Sequence, residues 1–495
     1  LSSPVKFQIT RFLRVNRDDS EALYLQLVNQ TIQAIQRGYL PIGMKLPGTR
    51  VLSEELGVHR KTVVAAFEEL SAQGWVDSIP NSGTYIQNPQ IKRVNSDMKR
   101  TEVNTSKKHA GFPFRKSQLL DFHSVKASFS FSFSDNLVDF HAVKQEELLR
   151  FYRTAQTRKQ VASWMKTNVL VANPYLLSQL SFHINLTRSM HIASDNLLSL
   201  SSREAALHTI AQCLFERSDV LIVVGTGFPT ANYIFQSRDV QLASVPIDSE
   251  GIDVNAIRNT CCAGKVRAVY VNSHGHYPTT VAMSDKRRLE LLELAAEFDF
   301  LVIEDDPDFD LHYEKSISSP MIHHDHFGRV LYVGAIGTHL SPTFQRSFIV
   351  ASVDVINELT KYSRLLMTTN DLVVEQLIGE LIEEGLYFRW MKKIVKLYKE
   401  RRNQLATLMV QHFTDDVDFQ SPAGGTAIWV KWNKQFSLMQ LHEACLAKDV
   451  LLPVENLHQQ ANYAATRLGF CHLTSKEIEK VVVVLKQAYD EVMQQ

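Results

Sequence analysis

The chain has 495 residues, 45% of them hydrophobic, with 53 lysines and arginines against 53 aspartates and glutamates. That length excludes one compact core, since domains run to about 100–200 residues and roughly two to four units are expected. Zero net charge excludes nucleic-acid recognition through overall basicity, so any DNA contact must come from a local group of cations and helix ends.

The five cysteines, with Cys261 and Cys262 adjacent, form neither a disulfide ladder nor a paired metal motif, which suits a reducing cytoplasm. No apolar run reaches about 18 residues and no leader opens the chain, so a soluble protein is expected.

Leu23, Leu25, Leu27, Val28, Ile32 and Ile35 recur near the helical period, predicting a first helix from Leu23 to Arg37 that stops at Gly38. Met44-Lys45-Leu46-Pro47-Gly48-Thr49-Arg50 cannot stay helical across Pro47. Thr49 is expected to cap a short helix from Val51 to Leu56, ended by Gly57. After Val58 and His59, the run from Arg60 to Leu70 places Val63, Val64, Phe67 and Leu70 on one face and Arg60, Lys61 and Thr62 at its leading end. Two β-prone pieces, Gly74 to Ile79 and Gly83 to Ile86, flank Pro80-Asn81-Ser82 as a wing.

From about Leu23 to Ile86 this order of elements resembles the winged helix-turn-helix of GntR-type regulators. Leu46-Pro47-Gly48-Thr49-Arg50, Arg60-Lys61-Thr62-Val63 and Ser82-Gly83-Thr84 match its motifs. The resemblance implies that Thr49, Arg50, Arg60, Lys61, Thr62 and Gly83 contact double-stranded DNA. Arginine suits a bidentate guanine contact, while lysine, the threonine hydroxyls and the wing amide position the module on phosphates. A protein-interaction module of similar shape is the alternative.

From Gln87 to about Leu119 apolar periodicity stops, and Lys92, Arg93, Lys99, Arg100, Lys107, Lys108, Arg115 and Lys116 face only Asp97 and Glu102. This predicts a basic tether that either follows DNA phosphate or merely spaces two domains. The expected boundaries are 8–88 for the DNA-binding domain, 89–120 for the linker and 121–495 for the remaining body.

Beyond Phe122, helical stretches alternate with buried-strand runs at Val220 to Val224, Ala268 to Val271, Phe300 to Ile303 and Arg329 to Val333, after a helix from Ala205 to Phe215. This alternation predicts a doubly wound α/β sheet with ligands at the carboxyl ends of its strands. Three landmarks follow strands: Ser273 to Thr280, Glu304-Asp305-Asp306-Pro307-Asp308, and Gly334 to Pro342.

Their order and spacing resemble a fold-type I aminotransferase, specifically the MocR-type branch of GntR regulators. Glu383 to Arg389, Tyr398 to Arg402 and Arg467-Leu468-Gly469-Phe470 also resemble that branch. The implied fold is a winged helix-turn-helix plus a large aminotransferase-like α/β domain with a smaller carboxy-terminal α+β subdomain.

In that family a lysine forms a Schiff base with pyridoxal phosphate; here Thr338 stands in its place, and threonine has no amine. The resemblance assigns Asp305 to the pyridine nitrogen and Phe228 to ring stacking. Pro307 replaces a tyrosine donor, and Ser202-Arg203-Glu204 replaces the phosphate cup. There the backbone amides of the helix start can still hold an anion, which Glu204 opposes unless Arg203 compensates. His276 and Arg346, the latter beside Gln345 where an arginine is usual, complete the degenerate pocket.

Asp305 beside Glu304 and Asp306 can alternatively be a solvated strand end, and Arg467 either grips a carboxylate or forms a structural salt bridge. His274 and His276 lack a third ligand at metal spacing, so no metal is expected.

The resemblance implies a cytoplasmic homodimeric transcription regulator, not an enzyme, with no catalytic residues and no covalently bound cofactor. Two alternatives stay open: a regulator that binds pyridoxal phosphate or another small effector noncovalently, and a lysine-less enzyme using His339 as base.

Overall fold

The computed structural model describes residues 13, 15–17, 21–36, 39–80, 82–87, 110–114, 129–167, 173–225, 227–314, 317–366, 371–460 and 463–494. Two compact units divide the chain, Leu1–Arg115 and Lys116–Gln495. Of the expected linker 89–120 only 110–114 is described, and Gly38, the expected stop of the first helix, also lies outside the described residues.

In the first unit, α1 (Leu23–Gln36) turns Leu27, Val28 and Ala34 inward against the third helix. α2 (Thr49–Leu56) starts earlier than expected. Pro47 ends the preceding stretch, Gly48 takes an extended conformation (φ −62°, ψ 151°) as the N-cap, and no side chain caps the helix. Thr49 is therefore the first helical residue and not the cap, which corrects the sequence expectation. Gly57, at φ 63° and ψ 31°, ends the helix in the left-handed region as glycine readily does.

α3 (Arg60–Ala72) buries Val63, Ala66 and Leu70, while Phe67 packs at the margin of this core and Val64 is half-buried. Strands β1 (Val76–Ile79) and β2 (Gly83–Ile86) pair antiparallel, Val76 opposite Ile86 and Ile79 opposite Gly83. Two features lay outside the sequence expectations. Lys45 bridges to Tyr85 on the open edge of β2, and Leu13 is buried in the same core while Arg17 Nη2 donates to the Gly57 carbonyl at 2.7 Å.

The second unit is built on a seven-stranded sheet. Its strands are β3 (Leu197–Leu200), β4 (Val220–Val224), β5 (Gln241–Val245), β6 (Ala268–Val271), β7 (Leu301–Asp306), β8 (Val330–Ile336) and β9 (Arg346–Val350). Their spatial order is β3-β9-β8-β7-β6-β4-β5, and β9 alone runs antiparallel to its neighbours β8 and β3.

Buried Val, Ile and Leu on both faces explain the continuous apolar runs. One face packs under α4 (Arg203–Leu214), α5 (Pro229–Gln236) and Val353–Leu366; the other packs under Val254–Ala263 and α6 (Asp285–Phe298). Parallel strands covered on both sides leave their carboxyl ends as the open edge for a site.

A smaller antiparallel sheet, ordered Val417–Phe419, Ala427–Trp432, Tyr463–Gly469 and Leu457–Gln460, packs with the long helices Leu386–Phe413 and Ser475–Gln494. Among the described residues no helix is long and apolar enough to cross a membrane.

Candidate functional site

The first candidate surface is the leading end of α3. Arg50, Arg60 and Lys61 are exposed, and Thr49 and Thr62 are half-buried. Arg60 Nε lies 3.4 Å from Thr49 Oγ1, so the starts of α2 and α3 meet. Removed from capping, the Thr49 hydroxyl faces the recognition helix instead. His59 caps α3: its Nδ1 accepts from the Lys61 amide at 3.2 Å.

The dipole of the helix gives this end positive character beyond its side chains. On the wing, Gly83 has φ +131°, and any Cβ there would run into the Lys45 side chain. That exposed lysine was missed by sequence reasoning, although its place beside Leu46-Pro47 was a usable signal.

The second candidate is the pocket at the sheet's carboxyl edge. Asp305, near the end of β7, is fully buried and not a solvated strand end. Arg203, the first residue of α4, approaches Asp305 Oδ2 with Nη2 at 2.5 Å and Nε at 2.7 Å. Tyr270, from β6, donates its hydroxyl to the same oxygen and receives Arg203 Nη2 at 3.1 Å.

The guanidinium lies 4.1 Å from the Phe228 ring centroid, and Phe228 meets Tyr277 edge-on at 5.6 Å. Burial pushes the Asp305 carboxyl up, and the adjoining guanidinium limits that rise. Burial would lower Arg203, but Asp305 beside it outweighs burial and raises its pKa overall.

Arg203 is thus turned inward, and its charge meets Asp305. The condition under which the helix start would hold an anion, compensation of Glu204 by Arg203, is therefore not met. Ser202 is the N-cap of α4, and its hydroxyl accepts from the Ala205 amide at 3.2 Å, satisfying one of the amides of the helix start. Glu204 stays exposed in the first turn.

Beneath the pocket runs a buried charged network. Arg188 reaches Tyr332 at 2.6 Å and Asp310 at 3.1 Å, and the Tyr332 hydroxyl donates to Asp306 Oδ2 at 3.1 Å. His274 places Nδ1 2.7 Å from Asp306 Oδ2 and Nε2 2.7 Å from the Ser318 carbonyl. Nδ1 faces a carboxylate, which favours the charged ring, while Arg288 Nη1 lies 3.3 Å from Nε2 and opposes it. Burial would lower its pKa, but Asp306 more than offsets this and raises it.

The remaining predicted residues scatter around this edge. Gly337, at φ +83°, packs so tightly on the Phe344 carbonyl that a Cβ cannot fit, and this turn delivers Thr338 after β8. Thr338 Oγ1, Asp305 Oδ1 and His276 Nε2 are buried without a hydrogen-bond partner among the described residues.

His276 is buried, bonds Thr279 through Nδ1 at 2.8 Å, and is pushed down to about 3 by burial and by Arg467. His339 lies 3.6 Å from Asp308 Oδ1, beyond hydrogen-bond range. Arg346 turns to the Asp371 carbonyl at 3.0 Å, and its charge offsets that of Glu375. None of the hydrogen bonds or ion pairs among the described residues joins it to Asp305. Arg467 forms the structural ion pair, with Asp135, and also donates to the Pro278 carbonyl at 3.0 Å.

Comparison with known proteins matches both parts. The family model described as "Bacterial regulatory proteins, gntR family" matches residues 23–86. The uncharacterized HTH-type transcriptional regulator YdfD of Bacillus subtilis (strain 168) is 24% identical over 93% of this chain and 95% of its own length. The probable rhizopine catabolism regulatory protein MocR of Rhizobium meliloti is 22% identical over 96% of each chain.

Among solved structures, the multiple substrate aminotransferase of Thermococcus profundus superposes with a TM-score of 0.68 at 22% identity, covering 74% of this chain and 93% of that one. LysN, the alpha-aminoadipate aminotransferase of Thermus thermophilus, complexed with N-(5'-phosphopyridoxyl)-L-leucine, reaches 0.67 at 18% identity, with the same coverage of 74% and 93%. The chain is a GntR-type DNA-binding module joined to a body with the aminotransferase fold.

Proposed function

We propose that the protein is a cytoplasmic, homodimeric, sequence-specific transcription regulator whose aminotransferase-like body is a dimerisation and effector scaffold that performs no transamination. One contrast carries this proposal: an accessible cationic helix end in one unit and a lysine-less strand-end loop in the other.

Arg50 and Arg60 have the fork geometry for guanine O6 and N7 in the major groove, while Lys61, Thr49, Thr62 and the Gly83 amide suit phosphate contacts. Relatives bearing the names of transcription regulators align over more than nine-tenths of the chain, which supports the same role.

The strand-end residues do not fit pyridoxal phosphate. Thr338 offers no amine, and Pro307 offers no hydroxyl. Asp305 is paired with Arg203, and Glu204 places negative charge in the first turn of α4. His339, the base in the lysine-less enzyme alternative, has no normal hydrogen bond to orient it.

Footprinting on the DNA flanking the protein's own gene tests the role. Two protected half-sites about one or more helical turns apart are expected, with affinity falling steeply in salt. Binding no tighter to that DNA than to random duplex would refute it.

A second reading is favoured by the orphaned Asp305 Oδ1 and Thr338 Oγ1: a small hydrogen-bonding effector lodges there and biases the dimer. Calorimetry with amino acids and pyridoxal phosphate, with and without operator, separates it from an inert scaffold.

A further inference from the structure

On the premise that the pocket is the aminotransferase-like one proposed above, we infer that Arg203 is its built-in occupant, a side chain that takes the place of the coenzyme ring and shuts pyridines out. A protonated pyridine ring is planar and cationic, and it offers one N–H in its plane to a carboxylate and a flat face to an aromatic side chain. The Arg203 guanidinium has each of these properties.

Nη2 and Nε both point at Asp305 Oδ2, at 2.5 and 2.7 Å, and the group lies 4.1 Å from the Phe228 centroid. Cation and aromatic face at that separation attract each other, more strongly where water is displaced. Tyr270 holds the same carboxylate oxygen and the same guanidinium, so three groups from α4, β6 and β7 lock into one arrangement.

Entry of a pyridinium at Asp305 would release Arg203 from its acid partner while still inside the protein, and a buried charge without its partner is strongly unfavourable. At the helix start Glu204 adds negative charge in the first turn, which opposes a phosphate. Thr338 therefore removes the covalent bond, and Arg203 separately removes the site for the ring. Restoring the amine alone will not restore coenzyme capture.

The test uses the full chain and the variants Thr338→Lys, Arg203→Ser and Arg203→Ser with Thr338→Lys. Each is mixed with pyridoxal phosphate and reduced with borohydride, and the adduct is mapped by peptide mass. The expected result is no adduct at position 338 in Thr338→Lys and a stoichiometric one in the double variant. Arg203→Ser should lose thermal stability, regain it with pyridoxal phosphate, and bind that compound roughly 100-fold tighter than the native chain.

An adduct at position 338 in Thr338→Lys alone overturns the inference, as does its absence from a folded double variant. Weaker coenzyme binding by Arg203→Ser also overturns it, because Arg203 would then be a phosphate ligand. Should both Arg203 variants fail to fold, Thr338→Lys decides: an adduct refutes and its absence supports. Coenzyme bound covalently and stoichiometrically by the native chain at one lysine of the body would instead sink the proposed function.

Discussion

At the leading end of α3, Arg60 and Lys61 stand exposed, and Arg60 touches a neutral hydroxyl, Thr49 Oγ1, at 3.4 Å. At the strand ends of the body, Arg188 is buried and Arg203 half-buried, and they face Asp310 at 3.1 Å and Asp305 at 2.5 Å. The same residue type serves opposite ends in the two places. An exposed guanidinium exchanges water and counterions for phosphate at little cost. A buried one holds acids that would otherwise be stranded, and removing it leaves an uncompensated charge.

The sharpest way to break this contrast is Arg188→Ala, which takes the cation from Asp310 and from the Tyr332 hydroxyl. A loss of about 3–5 kcal/mol is expected in urea unfolding of the full chain. A loss under about 1 kcal/mol would show that the buried network is not structural.

Arg60→Ala should leave unfolding unchanged and weaken operator binding by about 1–3 kcal/mol, relaxing preference at one base position. Lys61→Ala should weaken all sequences alike and lower the salt slope by about 1. If Arg60→Ala instead lowers stability and spares DNA affinity, the roles of the two regions are reversed.

A subtler contrast lies within the pocket, between two histidines of one loop. The folded-state pKa of His274 is raised, with Asp306 outweighing burial, so its stabilisation is fully present below the ordinary histidine value of about 6.5 and fades as pH climbs through the raised value. His276 is pushed down to about 3 by burial and Arg467, so its contribution is present above the ordinary value and is lost as pH falls toward that figure.

Urea midpoints across pH should show His274→Gln flattening the alkaline limb and His276→Asn flattening the acid limb. Flattening of the same limb by both would contradict the assigned charge states. The smallest effect is expected from His59→Ser, which keeps an N-cap acceptor for the Lys61 amide and should change stability by no more than a few tenths of a kcal/mol. A loss above about 1 kcal/mol would mean that His59 has a further structural role.

Local signals in the sequence located the DNA-binding elements because each is set by near neighbours. Gly57 stops α2, apolar spacing sets the inner face of α3, and Gly83 opens β2. Thr49 was misplaced by one position because both Gly48 and threonine can occupy an N-cap, and the Pro47-Gly48 backbone decides between them.

In the body, strand runs were legible from continuous apolar burial, while partners were not. Arg203 and Asp305 are 102 positions apart, and Arg188 carries no local sign that it ends fully buried beneath Gly334. Arg346 illustrates the same limit. Its place after the strand-end loop was legible, but its turn toward Asp371 depends on a helix distant in sequence.

The proposed regulator works through duplex binding while its body forms no covalent coenzyme link. Intact and peptide mass analysis of the native chain, saturated with pyridoxal phosphate and reduced with borohydride while bound to its operator, tests both halves at once. Operator-bound protein with no stoichiometric phosphopyridoxyl increment on any lysine of the body is the expected result. A stoichiometric increment on one lysine of the body would contradict it.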